Sequence, residues 1–244
     1  MPFNKNLNLS SWNIFSEEEQ SFLSVIFEKH PIIATNFERY LSIPTDIRLD
    51  IAFEDLEKTP RTGWVMRKIP NPENIKLHME YVKLYAFEQA PTGVSPSKAQ
   101  AIASIHDIPE SIITDFIPTD PISNKDKATL EILAIKVIYQ HSPKISEVLN
   151  LIKEYQEQIT PESHWMHDVD KLDALFVALQ YEAKYPEQIG LFKEFANHAE
   201  PQLKTKTGRE LFIDLVKKHE EYCSTYNNLF KTSISRSREA WISK

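Results

Sequence analysis

Glycine is scarce: four residues in 244, at Gly63, Gly93, Gly190 and Gly208, far apart from one another. Phosphate-cradling loops of the P-loop and dinucleotide-binding kinds need several glycines together, so those designs are excluded. Any phosphate chemistry must come from side chains and metal. Cysteine is scarcer still, with Cys223 alone. A single cysteine forms no intramolecular disulfide and builds no cysteine-rich zinc site, and this usage fits a reducing compartment. No run approaches the roughly 18 apolar residues of a membrane span, and the opening MPFNKNLNLSSW lacks the apolar core of a signal peptide. The expectation is a soluble, cytoplasmic protein without membrane association.

Positive charge is in deficit. The 28 Lys and Arg face 35 Asp and Glu, a formal net charge of −7. Electrostatic grip on a nucleic-acid backbone needs the opposite balance, so nucleic acid is not expected as a partner. A small phosphorylated ligand stays compatible, because one arginine and a metal ion create a local positive pocket on an acidic protein.

Proline, at 15 residues, is the punctuation. Ser95-Pro96, Ser142-Pro143 and Thr160-Pro161 each set a capping hydroxyl before a proline at the first helical position. Ser16 followed by Glu19 reads as a capping box. Helical periodicity is predicted over about 16–30, 46–57, 73–89, 96–106, 124–141, 143–157, 161–183, 186–197 and 205–230, and alternating strand patterns are scarce. The class is all-α. Stretches 58–72 and 114–123 read as irregular, of a length that often lines a site. Residues 1–45 read as a helical N-terminal extension of unassigned role, 46–230 as the main domain and 231–244 as a C-terminal tail.

Three places carry residues suited to chemistry. His106-Asp107 closes an apolar helix, and imidazole beside carboxylate suits zinc, manganese, iron or cobalt. On a continuing helix Glu110 would share their face, placed to take a proton from water. A hydrogen-bonded pair at a helix end explains the dipeptide equally well, and a second one stands at His167-Asp168. His78 falls on the wheel with Ile75, Val82 and Tyr85, so it points inward as a core histidine or as a ligand. Asp170 lies on a helix that is apolar on two faces, where a carboxylate needs a metal or a partner such as Lys171.

The order H…HD…D in this context resembles the HD superfamily of metal-dependent phosphohydrolases, in particular its 5′-deoxynucleotidase-like branch. KTPRTGWVMRKIPNPENIKLH (58–78) is similar to that branch's opening motif, and HDIPESIITDFIPTDPISNKDK (106–127) follows its H-D-x-x-E…D…P-x-D pattern. TPESHWMHDVDKLDALFVALQYE (160–182) and KTKTGRELF (204–212) resemble the closing motifs. The resemblance spans roughly 46–220 and implies an HD helical bundle. It implies metal ligation by His78, His106, Asp107 and Asp170, with Glu110 as catalytic acid/base. It also implies that Arg61 holds phosphate, and that Trp64 and Asp115 border sugar and base.

The implied reaction is hydrolysis of deoxynucleoside 5′-monophosphates with one divalent ion (manganese, cobalt, zinc or iron) by a homodimer. The alternatives are another nucleotide or phosphoester on the same machinery, and a non-catalytic nucleotide-binding protein on the HD scaffold. The chain departs from the pattern at three positions. Thr114 replaces a usual glycine, Pro109 a small helix former, and His167 a usual lysine.

Overall fold

The computed structural model describes residues 9–242, and side chains within 12–225. Two compact units divide the chain, Met1–Met166 and His167–Lys244. No strand occurs among the described residues, and no helix there is long and apolar enough to cross a membrane. The expected all-α class holds.

The first unit contains α1 (Glu17–Lys29), α2 (Pro31–Ser42), α3 (Arg48–Lys58), α4 (Thr62–Met66), α5 (Ile75–Glu88), α6 (Pro96–Ala103), α7 (Glu110–Ile113), α8 (Asn124–Ile138) and α9 (Ile145–Glu157). It also holds the start of α10 (Pro161–Lys184). The capping box on α1 forms as read, with Ser16 Oγ accepting from Glu19 N and Glu19 Oε2 accepting from Ser16 N. Ser95 and Thr160 also behave as caps, accepting from Lys98 N and Ser163 N. Ser142 does not. Its hydroxyl accepts from Lys144 N inside a turn, and α9 begins two residues after Pro143.

Helix α2 lies outside the segments that the periodicity predicts, although Ile33, Phe37, Tyr40 and Leu41 recur at helical spacing and are buried. It follows α1 after the single residue His30, which ends one helix and starts the next. Trp12, Phe15, Phe27 and Phe37 from this region share one apolar core with Ile112 and Ile113 of α7 and Leu130 and Leu133 of α8. Asn36 Nδ2 donates to Ile112 O at 2.8 Å, tying α2 to the segment that carries Glu110.

Arg48 is buried, and burial pushes its pKa down. Its guanidinium donates to Ile43 O, Leu41 O, Val137 O and Gln140 Oε1. It thereby satisfies carbonyls at the C-terminal ends of α2 and α8, groups that a helix cannot pair internally.

The second unit contains the rest of α10, then α11 (Leu191–Ala199) and α12 (Lys206–Ile242). Helix α12 runs without a break through residue 231, the expected start of a C-terminal tail, to Ile242; Ser243 and Lys244 lie outside the described residues.

Candidate metal centre

His78 stands on α5, whose first turn is capped by Asn74 Oδ1 accepting from Leu77 N at 2.8 Å. The inward reading is right: the residue is fully buried, with Ile75 and Val82 on its side. Tyr85, placed on the same face by the wheel, is exposed instead.

His106 and Asp107 do not end a helix. Helix α6 stops at Ala103, residues 104–109 form turns, and α7 restarts at Glu110 with Pro109 as its cap. Proline lacks the N–H that a continuous helix would need at that point, which is why Glu110 does not lie on the same helix as the pair.

Three donors converge. Asp107 Oδ2 lies 3.4 Å from His78 Nε2 and 3.2 Å from His106 Nε2. His106 Nδ1 is 2.9 Å from the carbonyl of Ala103. A carbonyl only accepts, so Nδ1 carries the proton and a neutral ring presents a lone pair at Nε2. That Nε2 is buried without a hydrogen-bond partner, and it faces a carboxylate oxygen. Two electron-rich atoms in this relation repel unless a cation stands between them. An imidazole anchored through its far nitrogen to a backbone carbonyl is the usual support of a metal ligand. His106 and Asp107 therefore fit a divalent ion; His78 Nε2 completes three ligand atoms within 4.8 Å of one another and would ligate with the ring proton on Nδ1, in place of the hydrogen bond from Arg61.

The surrounding carboxylates are shifted in opposite directions. Burial pushes the Asp107 carboxyl up, and positive charge on the His106 and His78 side, from protonated rings, holds it well below the usual carboxylate range. Glu110 goes the other way. Burial raises it, the Asp107 and Asp115 charges raise it further, and Lys127 offsets only part of this. Lys127 Nζ lies 3.7 Å from Glu110 Oε1 and 3.5 Å from Glu131 Oε1. Two carboxyls pushed apart in this way are the arrangement that lets one stay ionised while the other exchanges protons.

The opening motif forms a braced loop. Arg61 N donates to Glu73 O at 3.1 Å and Ile75 N to Thr59 O at 3.0 Å, an antiparallel pairing that fastens the loop to the start of α5. The stretch 58–72 thus contains a short helix, α4, within its irregular run. Glu73 Oε1 accepts from Arg61 NH1 at 3.0 Å and from Trp64 Nε1 at 2.9 Å. Arg61 NH1 also lies 3.1 Å from His78 Nδ1, which sets the guanidinium beside the histidine–aspartate group. Glu73, within the opening motif, thus holds Arg61 and Trp64 together, a role that its place in the sequence does not predict.

Asp115 is reached from the same loop. Its Oδ2 accepts from Thr62 N at 2.6 Å, and its carbonyl accepts from Thr62 Oγ1 at 2.8 Å. Burial raises its carboxyl, against the pull of the Arg61 charge and the Thr62 amide. Thr114, just before it, adopts φ 69° and ψ 167°, a region that suits glycine and strains a β-branched residue. That backbone suits the glycine that the family resemblance implies here, and the threonine holds it under strain.

In the second unit Asp170 is buried on α10, with Oδ2 2.8 Å from Lys171 Nζ. The adjacent Asp168 is structural. Its carboxylate accepts from Lys204 N, Thr205 N and Thr205 Oγ1, all at 2.7 Å, and fixes the start of α12. This accounts for the K-T-x-x-G motif at 204–208.

Comparison with known proteins agrees with this geometry. The HD domain family profile matches residues 53–210. A 5′-deoxynucleotidase HDDC2 from Xenopus laevis is 29% identical over 144 residues, covering 58% of this chain and 71% of that protein. A 5′-deoxynucleotidase hdd1 from Schizosaccharomyces pombe is 31% identical over 136 residues, covering 53% of this chain and 69% of its own length. Among solved structures, a conserved hypothetical protein from Pyrococcus furiosus superposes with a TM-score of 0.57 at 27% identity, over 70% of this chain and 99% of the other. With histidines, the H-D pair and the braced arginine loop all inside the matched span, the chain belongs to the HD-domain family.

Proposed function

We propose that the protein is a metal-dependent phosphohydrolase that removes phosphate from deoxynucleoside 5′-monophosphates. The observation that carries this is the convergence of His78 Nε2, His106 Nε2 and Asp107 Oδ2 beside Arg61. The relatives named 5′-deoxynucleotidase support the substrate. Asp170 is the fourth ligand in this reading, on the strength of the motif resemblance. Manganese, cobalt, zinc and iron all suit two imidazoles and two carboxylates. The bound ion would supply Lewis acidity and charge neutralisation for attack by water on phosphorus.

The chain's own residues do the rest. Arg61, held by Glu73, offers a planar donor fork to the phosphate oxygens. Glu110, buried and raised, takes the proton of the attacking water and returns one to the departing 5′ oxygen. Asp115, fixed by Thr62, stands with Trp64 along the sugar side and sets the preference for deoxyribose. Trp64 acts there through its hold on Glu73, because its ring is buried. The homodimer and the cytoplasmic setting follow the family resemblance.

Phosphate release decides the matter. Chelator-stripped protein is given each metal in turn with a panel of deoxy- and ribonucleoside monophosphates. Metal-dependent release from the deoxy forms is the expected result, with Glu110→Gln slower by at least about 100-fold. Equal release from ribo- and deoxynucleotides overturns the sugar assignment. Silence across the panel in metal-loaded protein overturns the reaction.

A further inference from the structure

Away from the HD residues, a second group of metal-competent side chains lies wholly within the second unit. Glu182 on α10 and His219 and Cys223 on α12 bring one carboxylate, one imidazole and one thiol within 4.8 Å of one another. We propose that Glu182, His219 and Cys223 form a second site for a thiophilic divalent ion of the zinc or cobalt class, clamping α10 to α12.

Residue types and spacing come first. His219 and Cys223 are four apart on one helix, so both side chains rise from the same face. Nitrogen, oxygen and thiolate sulfur are the donors that zinc accepts, at about 2.0–2.1 Å for N and O and about 2.3 Å for S. In a tetrahedral shell those lengths place donor atoms roughly 3.3–3.6 Å apart. Cys223 Sγ lies 3.5 Å from His219 Nε2, already at that separation. His219 Nε2 lies 2.7 Å from Glu182 Oε2, a hydrogen bond that must open by about 0.6 Å to admit the ion.

Preorganisation is the second argument. Glu182 is fully buried, and its Oε1 accepts from Gly190 N at 2.7 Å and Phe192 N at 2.8 Å. Those two amides fix the carboxylate and direct Oε2 at His219. The ring of Phe192 stacks on the imidazole at 4.3 Å between centroids with 12° between planes, fixing its orientation. Tyr222 Oη donates to Glu182 O at 3.0 Å, so the helix turn that bears Cys223 is also tied to α10. Supported ligands of this kind cost little reorganisation on binding. On ligation the thiol gives its proton to solvent, and the imidazole moves to Nδ1 the proton that Nε2 shares with Glu182 and binds as the neutral ring, so uptake falls with acid.

Cys223 is the only cysteine in the chain, and the HD residues include no sulfur, so a sulfur signal reports this site alone. Chelator-stripped full-length protein is titrated with cobalt(II) and followed in the near ultraviolet. The expected result is a thiolate-to-cobalt charge-transfer band that zinc displaces and that vanishes in Cys223→Ser. Zinc should also slow alkylation of Cys223 on the order of tenfold or more, since the thiolate is the nucleophile and becomes coordinated. Cobalt uptake without that band overturns the proposal, as does an alkylation rate indifferent to zinc. Both readouts are independent of phosphate release, so the failure of either assignment leaves the other intact.

Discussion

Gly208 is pressed against Asp168: a β-carbon on residue 208 would stand 2.3 Å from Asp168 Oδ2. That oxygen cannot swing aside, because Thr205 N and Thr205 Oγ1 both hold it at 2.7 Å. Replacing glycine by alanine inside a helix normally gains about 1 kcal/mol. Here the clash reverses the sign. Gly208→Ala is expected to lose about 2 kcal/mol net in urea denaturation, since either the carboxylate or the start of α12 must shift. A variant as stable as the parent would show that the carboxylate finds another position at no cost.

Acid should act on the same clamp. Burial pushes the Asp168 carboxyl up, but the His167 imidazole 3.9 Å away and the hydrogen bonds from Lys204 N and Thr205 outweigh it, and the folded-state pKa lies below the ordinary value. A depressed carboxyl stabilises the fold above its unfolded pKa of about 3.9, and the contribution fades as pH falls through the folded value. Asp168→Asn should therefore be less stable than the parent at neutral pH, with the gap narrowing below about pH 4. Stability curves measured against pH for the two proteins test this. A gap that widens in acid contradicts it.

Thr114 offers a gain. Its φ of 69° with ψ of 167° costs a β-branched residue about 1–3 kcal/mol, and glycine adopts it freely. Glycine also adds entropy to the unfolded chain, which returns up to about 1 kcal/mol. Strain is the larger effect, so Thr114→Gly is expected to be about 1 kcal/mol more stable by chemical denaturation. Loss of stability would mean that the Thr114 side chain contributes more than its backbone costs.

Much of this was legible in the sequence because it is local. Ser16 with Glu19, Ser95 before Pro96, and the inward face of His78 follow from capping and helical period, and they appear as read. The H-D-x-x-E spacing was legible as composition but not as geometry. Pro109 breaks the helix, so Glu110 arrives by a turn. What stayed hidden was long-range. Nothing near Arg48 in sequence predicts that it answers the carbonyls of Leu41 and Val137. Asp168 could not be told from a ligand until Lys204 and Thr205 came to it from 36 and 37 residues away.

Glu73 gives the sharpest test of the arginine's role. One oxygen, Oε1, receives both Arg61 NH1 at 3.0 Å and Trp64 Nε1 at 2.9 Å, and the glutamate side chain is 6% exposed. The bond to Arg61 is charge-assisted, of a kind that contributes about 1.5–3 kcal/mol. Glu73→Gln keeps the shape and removes the charge. Two effects oppose each other. A guanidinium released from its carboxylate has more positive charge to offer phosphate, but it also gains rotamers and loses its aim. For a bidentate donor, orientation outweighs the added charge, because a misdirected fork makes one hydrogen bond in place of two. Glu73→Gln should therefore lower kcat/KM by about tenfold, most of it as a higher KM, and lower the thermal transition by a few degrees. A lower KM would reverse the order of the two effects and make Glu73 a competitor of the substrate in place of its guide.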